Sequence, residues 1–139
     1  MDHRLAQVRK SRKYGRAVFA TGRIRCGEIV AVFDGPLLDD DFDGWTDDLL
    51  SHAIQVGPSL WRDSVGIARY INHSCEPNCG IKRFCEIVAM RDISAGEQIT
   101  WDYEMTEKSS WFRMKCKCGS ASCRRVIGNY SRMPRSVRA

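Results

Sequence analysis

No run of apolar residues in this chain approaches the length needed to cross a membrane, and the first ten residues, MDHRLAQVRK, lack the apolar centre of a secretory signal. The expected setting is a reducing compartment, cytoplasmic or nuclear, with no membrane partner and no secretion. Acid is missing from the end of the chain: residues 111 to 139 carry eight Lys and Arg and no Asp or Glu, while residues 1 to 16 carry six against one. These basic ends also lack the interleaved aromatics of a single-strand stacking platform, so direct nucleic-acid binding is not favoured. Were that the function, binding would depend steeply on salt. A complete disulfide framework is excluded because seven cysteines cannot all pair.

What is present suits one domain, since 139 residues with 43% hydrophobic content can build a single core. Between the basic ends lies a body of eight basic and sixteen acidic residues. Seven of the acids, Asp34, Asp39, Asp40, Asp41, Asp43, Asp47 and Asp48, fall in FDGPLLDDDFDGWTDD. Such a run is either a solvated loop or a lure for a basic peptide, because charge of one sign along a cleft raises the local concentration of its opposite. RAVFA (16–20), EIVAVF (28–33), GIARYI (66–71), FCEIVAM (84–90) and EQITW (97–101) read as short strands separated by Gly, Pro and Asn. DGWTDDLLSHAIQ reads as a helix capped by Thr46. One echo occurs: Ile24-x-x-Gly27-Glu28-Ile29 recurs as Ile93-x-x-Gly96-Glu97-Gln98-Ile99, which predicts one turn used twice, with Gly in a conformation a side chain resists.

Two segments concentrate chemistry. CKCGSASC (116–123) brings together Cys116, Cys118 and Cys123. A Cys-x-Cys step is too tight for easy bridging, whereas zinc accepts thiolates at about 2.3 Å and the Gly119-Ser120 turn lets the chain wrap an ion. The plain alternative is three buried free thiols. Zinc needs a fourth ligand, and RYINHSCEPNC (69–79) offers Cys75 or Cys79 if the fold brings it alongside. That segment also packs Asn72, His73, Ser74 and Asn78 together, and Pro77 stops it from continuing as an interior strand.

Four stretches in order, KYGRAVFA with IRCGEIV, then ARYINHSCEPNC, then ISAGEQITWDY, then CKCGSASC with VIGNY, resemble the SET-domain protein-lysine methyltransferases over about residues 12 to 130. The resemblance implies a mainly β, β-clip fold: several small twisted sheets around a pseudoknot, few short helices, and a zinc-clipped C-terminal tail. It divides the chain into a basic N-terminal segment (1–11), a SET domain (12–108), a post-SET zinc segment (109–130) and a basic tail (131–139). It describes a minimal version with a post-SET tail and no separate cysteine-rich region ahead of it.

Residue by residue, the resemblance implies zinc on Cys75, Cys116, Cys118 and Cys123, leaving Cys26, Cys79 and Cys85 as packing thiols. It implies S-adenosylmethionine bound by Gly15, Arg16, Ala17, Tyr70, Asn72 and His73, with Trp111 or Phe112 covering the adenine. Ala17 stands where the family has a second glycine and requires negative φ. Tyr103 is implied as the catalytic tyrosine, with Asp102 supporting the backbone. Trp101 and Tyr103 would line the lysine channel, with Trp101 replacing the usual Phe or Tyr and Trp61 offering a further aromatic wall. The implied partner is a basic protein or peptide, a histone tail or another basic protein such as a ribosomal one. The alternative from another class is a SET module that binds a basic peptide without turnover.

Overall fold

The computed structural model describes residues 2–11, 15–46, 49, 53–57, 59–63, 66–83, 85–103, 114–116 and 118–127. Twelve short strands dominate these: β1 (Ala6–Ser11), β2 (Gly15–Ala20), β3 (Ile29–Val32), β4 (Leu37–Asp39), β5 (Ile54–Gly57), β6 (Leu60–Arg62), β7 (Asn72–His73), β8 (Cys79–Lys82), β9 (Glu86–Ala89), β10 (Thr100–Trp101), β11 (Met114–Lys115) and β12 (Val126–Ile127). They form five small sheets, β1-β2, β3-β9-β8, β4-β6-β5, β10-β7 and β11-β12. Among the described residues no helix is long and apolar enough to cross a membrane.

The expected strands at 16–20, 28–33 and 84–90 are present as β2, β3 and β9. Their Val, Ile and Ala side chains bury against one another, with Val18, Val30, Ala31 and Ile87 wholly inaccessible. GIARYI is instead a 3₁₀ turn over Gly66–Tyr70. Gly66 adopts φ +72° and the Asp2 carboxylate accepts from the Ile67 N–H, so the chain is turned where its apolar composition suggests extension. Thr46 acts as the expected cap, its Oγ1 accepting from the Leu49 N–H. Much of that helix lies outside the described residues, and Ile54 and Gln55 at its expected end already belong to β5.

The sequence echo is structural. Gly27 and Gly96 both have φ +90°, and each following glutamate accepts from a backbone N–H three residues back, Glu28 from Arg25 and Glu97 from Ser94. The two turns pack together: Ile24 and Ile93 exchange both backbone hydrogen bonds, at 2.9 and 2.7 Å, and both are fully buried.

The knot-like passage is made by residues 97–101. They first run beside β2, where Ala20 donates to Glu97 and Ile99 donates to Val18, and then pair in parallel with β7, Thr100 opposite Asn72 and Trp101 opposite His73. Across the passage, buried Asn78 donates to the Gln98 carbonyl at 2.8 Å and accepts from the Thr100 N–H at 3.0 Å. Asn78→Ala removes a donor and an acceptor from backbone groups shielded from water. It is expected to cost about 2–4 kcal/mol, read from the urea midpoint at unchanged slope.

Candidate functional site

The threading brings the chemistry-bearing segments to one place. Gly15 opens β2 with φ +68°, and a Cβ there would meet nothing within 4 Å among the described residues, so its main chain is approachable by a ligand. Ala17 is fully buried and is not among the residues with positive φ, which meets the condition set by its replacing glycine. Asn72 Nδ2 donates to the Arg16 carbonyl at 3.2 Å and to Gln98 Oε1 at 3.3 Å, tying the NHSC segment to β2. Arg16 donates to the Tyr70 hydroxyl, and the guanidiniums of Arg16 and Arg69 lie 5.4 and 5.5 Å from the Tyr70 ring centroid. Arg69 was not singled out from sequence; its place directly before Tyr70 in RYINHSC was the available signal.

Tyr103 lies beside this rim. Its hydroxyl donates to the Ile71 carbonyl at 2.7 Å, and its ring stands 5.0 Å from Trp101 and 5.3 Å from His73. Burial pushes the phenol well above its ordinary value, so it stays protonated. Its proton is committed to Ile71, so toward any further partner the oxygen can act only as an acceptor. Trp101 is buried and packs edge-on against Phe33 at 5.6 Å. Its indole Nε1 is buried with no hydrogen-bond partner among the described residues. Trp61, read as a further wall, packs on Trp45 in a cluster with Phe42. Trp111 and Phe112 lie outside the described residues.

His73 has no nitrogen left for a ligand. Nδ1 accepts from the Tyr103 N–H at 3.1 Å, so the ring proton sits on Nε2, which faces Cys75 Sγ at 3.3 Å. Burial brings its pKa down to about 4, against a smaller upward pull from Asp102, and the ring is neutral. Any contact His73 makes to a cofactor therefore comes from its backbone.

The sulfurs of Cys75, Cys116, Cys118 and Cys123 all lie within 4.8 Å of one another. Zinc with four thiolates at about 2.3 Å has a tetrahedral edge of about 3.8 Å. Cys75 and Cys116 are 3.8 Å apart. Four soft donors at this spacing fit zinc, and they decide between Cys75 and Cys79. Cys79 is buried in β8, its thiol pushed up to about 12 by that burial, and Cys26 is exposed with its Sγ on the Met90 carbonyl. Burial pushes Cys75 and Cys116 up, whereas for Cys118 hydrogen bonds from Ser120 and its neighbours outweigh burial and bring the thiol down to about 6.

Sequence reading missed what joins the tail to the body. One guanidinium nitrogen of Arg124 lies 2.7 Å from both carboxylate oxygens of Asp102, whose side chain is 4% exposed. Ser122 donates to Glu76 at 2.8 Å, and the Arg124 N–H donates to Cys75 Sγ at 3.3 Å.

Residues 15–104 match the SET domain family model. The chain is 32% identical over 136 residues to the Drosophila virilis histone-lysine N-methyltransferase trithorax, covering 86% of this chain and 4% of the relative. It is 30% identical over 141 residues to human histone-lysine N-methyltransferase 2B, covering 86% and 5%. With the Saccharomyces cerevisiae histone-lysine N-methyltransferase, H3 lysine-4 specific, it shares 45% identity over 67 residues, 42% of this chain and 6% of that one. The chain thus spans a small fraction of the length of these curated relatives. Among solved structures it is similar to KRYPTONITE in complex with mCHG DNA and SAH, at TM-score 0.66 and 27% identity, covering 87% of this chain and 28% of that one. A second KRYPTONITE structure, with mCHH DNA, an H3(1-15) peptide and SAH, gives TM-score 0.64 and 26% identity over 87% of this chain and 29% of that one. A family match over most of the chain, on a fold shared with these structures, means that this chain belongs to the SET-domain family.

Proposed function

We propose that this chain is an S-adenosylmethionine-dependent protein-lysine N-methyltransferase acting on a basic tail, of which a histone tail is the first choice. The observation that carries the reading is Tyr103, a phenol with its ring between Trp101 and His73 and its hydroxyl bonded to the Ile71 carbonyl, one residue from Asn72, which is tied to β2. Relatives named as histone-lysine N-methyltransferases and a similar structure holding an H3 peptide support the substrate class. The acidic stretch from Asp34 to Asp43 adds charge complementary to such a tail. The segments 12–108 and 109–130 serve as SET domain and zinc-binding post-SET segment, flanked by basic residues 1–11 and 131–139, and a histone substrate places the protein in the nucleus.

S-adenosylmethionine, when bound, supplies a methyl group on a cationic sulfur to a lysine amine. Gly15 and Arg16, exposed at the start of β2, offer backbone to it above the buried Ala17, and Tyr70, Asn72 and the His73 backbone complete the rim. The lysine must arrive neutral, although its ordinary pKa near 10.4 leaves it protonated at pH 7. Walls made by Trp101 and Tyr103 disfavour the ammonium by desolvation. The Tyr103 oxygen then accepts an amine N–H and aims the nitrogen lone pair, a positioning effect worth several kcal/mol. Cys75, Cys116, Cys118 and Cys123 would hold zinc, which fastens the tail beside this channel.

Trp101→Phe removes one ring of the indole and, since Nε1 has no partner among the described residues, strands none. The expected result is a shift toward higher methylation states on the same lysine, read by intact-mass spectrometry. An unchanged product distribution would remove Trp101 from the channel. The reading as a whole is tested by transfer of labelled methyl from S-adenosylmethionine to mixed histones, with cofactor binding measured by calorimetry. Lysine methylation is expected; absence of both transfer and binding would replace the enzyme with a peptide-binding module.

A further inference from the structure

The contacts around His73 close into a ring. Starting at the metal cluster, Cys75 Sγ faces His73 Nε2 at 3.3 Å. His73 Nδ1 accepts the Tyr103 N–H at 3.1 Å, and Asp102, whose Oδ1 lies 3.5 Å from that unprotonated nitrogen, is joined to the same amide through the 102–103 backbone. Both Asp102 oxygens lie 2.7 Å from one Arg124 nitrogen, and the Arg124 backbone N–H returns to Cys75 Sγ at 3.3 Å. The side chains are shielded from water, His73 at 3% exposed, Asp102 at 4% and Arg124 at 13%.

We propose that Arg124 is a positioning residue that couples metal occupancy at the cysteine cluster to the placement of Tyr103. The inference rests on the methyltransferase reading for its effect on rate, while the coupling itself stands on the ring. A metal-bound Cys75 is a thiolate, and a thiolate strengthens both N–H donors it accepts, from His73 Nε2 and from the Arg124 backbone. The first donor fixes the imidazole, whose other nitrogen holds the Tyr103 amide. The second fixes Arg124, whose guanidinium holds the carboxylate next to that amide. Each arm thus ends at the backbone that carries the Tyr103 phenol. A buried ion pair is a costly way to join two segments that apolar residues could join, and orientation is what it adds over them.

The experiment compares the full chain with Arg124→Gln and Arg124→Lys. Zinc affinity is measured by competition with a chromophoric chelator, amide hydrogen exchange is followed at Tyr103, and kcat and KM are obtained on a histone peptide. In Arg124→Gln, zinc is expected to bind 10- to 100-fold more weakly. At saturating zinc the Tyr103 amide should exchange at least tenfold faster, while the amides of Ile24, Ile93 and Ile99 keep their protection. The rate loss should appear in kcat and not in KM. Arg124→Lys keeps one cationic nitrogen for the carboxylate and should restore most of each quantity. Zinc affinity and Tyr103 exchange both as in the unaltered protein would overturn the proposal, and so would a loss of affinity that leaves Tyr103 exchange untouched. If Arg124→Gln does not fold, Asp102→Asn with Arg124→Gln removes both buried charges and is read in the same way. If the unaltered chain transfers no methyl group, the methyltransferase reading falls, and the zinc and exchange data still decide whether the ring couples.

Discussion

Tyr103→Phe is expected to lower methyl transfer by on the order of 100-fold or more while leaving the chain folded. The substitution keeps the ring, and with it the contacts to Trp101 and His73, and removes one oxygen. That oxygen donates its proton to the Ile71 carbonyl, and in the proposed mechanism it accepts from the approaching amine, so its loss would take away the acceptor that aims the nucleophile. Stability should fall by only about 1–2 kcal/mol, the cost of leaving the Ile71 carbonyl without its donor. The effect belongs in kcat, since the tail is held by many contacts and the amine by few. Initial rates with saturating peptide, together with a circular-dichroism melt, separate the two. A variant within threefold of the parent at saturation, a tolerance of about 0.7 kcal/mol, would remove Tyr103 from the reaction.

Removing the metal is expected to have the second large effect. Four thiolates in this arrangement draw on apparent zinc binding energies on the order of 10 kcal/mol, and that energy orders the segment from Cys116 to Cys123 against Cys75. Cys116→Ser, or a strong chelator, should release the ion, abolish measurable methyl transfer and expose the tail to proteolysis. The sheets around Ile24 and Ile93 should survive, because their contacts do not pass through the sulfurs. Elemental analysis of the purified chain should find one zinc, and activity lost to chelator should return when zinc is added back. Full activity in a chain shown to be metal-free would end the assignment.

Much of this was legible in the residues. Runs such as RAVFA and EIVAVF have no good conformation other than a strand, and the Gly27 and Gly96 echo announced a shared turn that the φ values bear out. The three tail cysteines pointed to zinc with free thiols as the alternative, and the choice between Cys75 and Cys79 was open to local reasoning, because both sit in one polar segment and only the fold sets Cys75 among the tail sulfurs. GIARYI misled because its β-like composition was outweighed by one glycine conformation and a carboxylate contributed by Asp2, far away in the chain. Arg124 was hidden for a related reason. Among eight basic residues it looked like tail charge, and its pairing with Asp102 exists only once residues 22 apart in sequence are folded together. Trp111 and Phe112, read as a cover for the adenine, lie outside the described residues.

The threaded segment 97–101 also sets an order of events during synthesis. Val18 and Ala20 on β2 complete their hydrogen bonds with Ile99 and Gly96, 81 and 76 residues later in the chain, and Asn72 and Asn78 wait for Thr100. A nascent chain that stops short of about residue 103 therefore lacks the hydrogen-bond partners of Val18 and Ala20 and leaves apolar side chains uncovered. Such distant contacts make collapse slow and leave intermediates prone to aggregate. C-terminal truncations that remove this threaded segment are therefore expected to fail as solubility defects before they register as loss of activity.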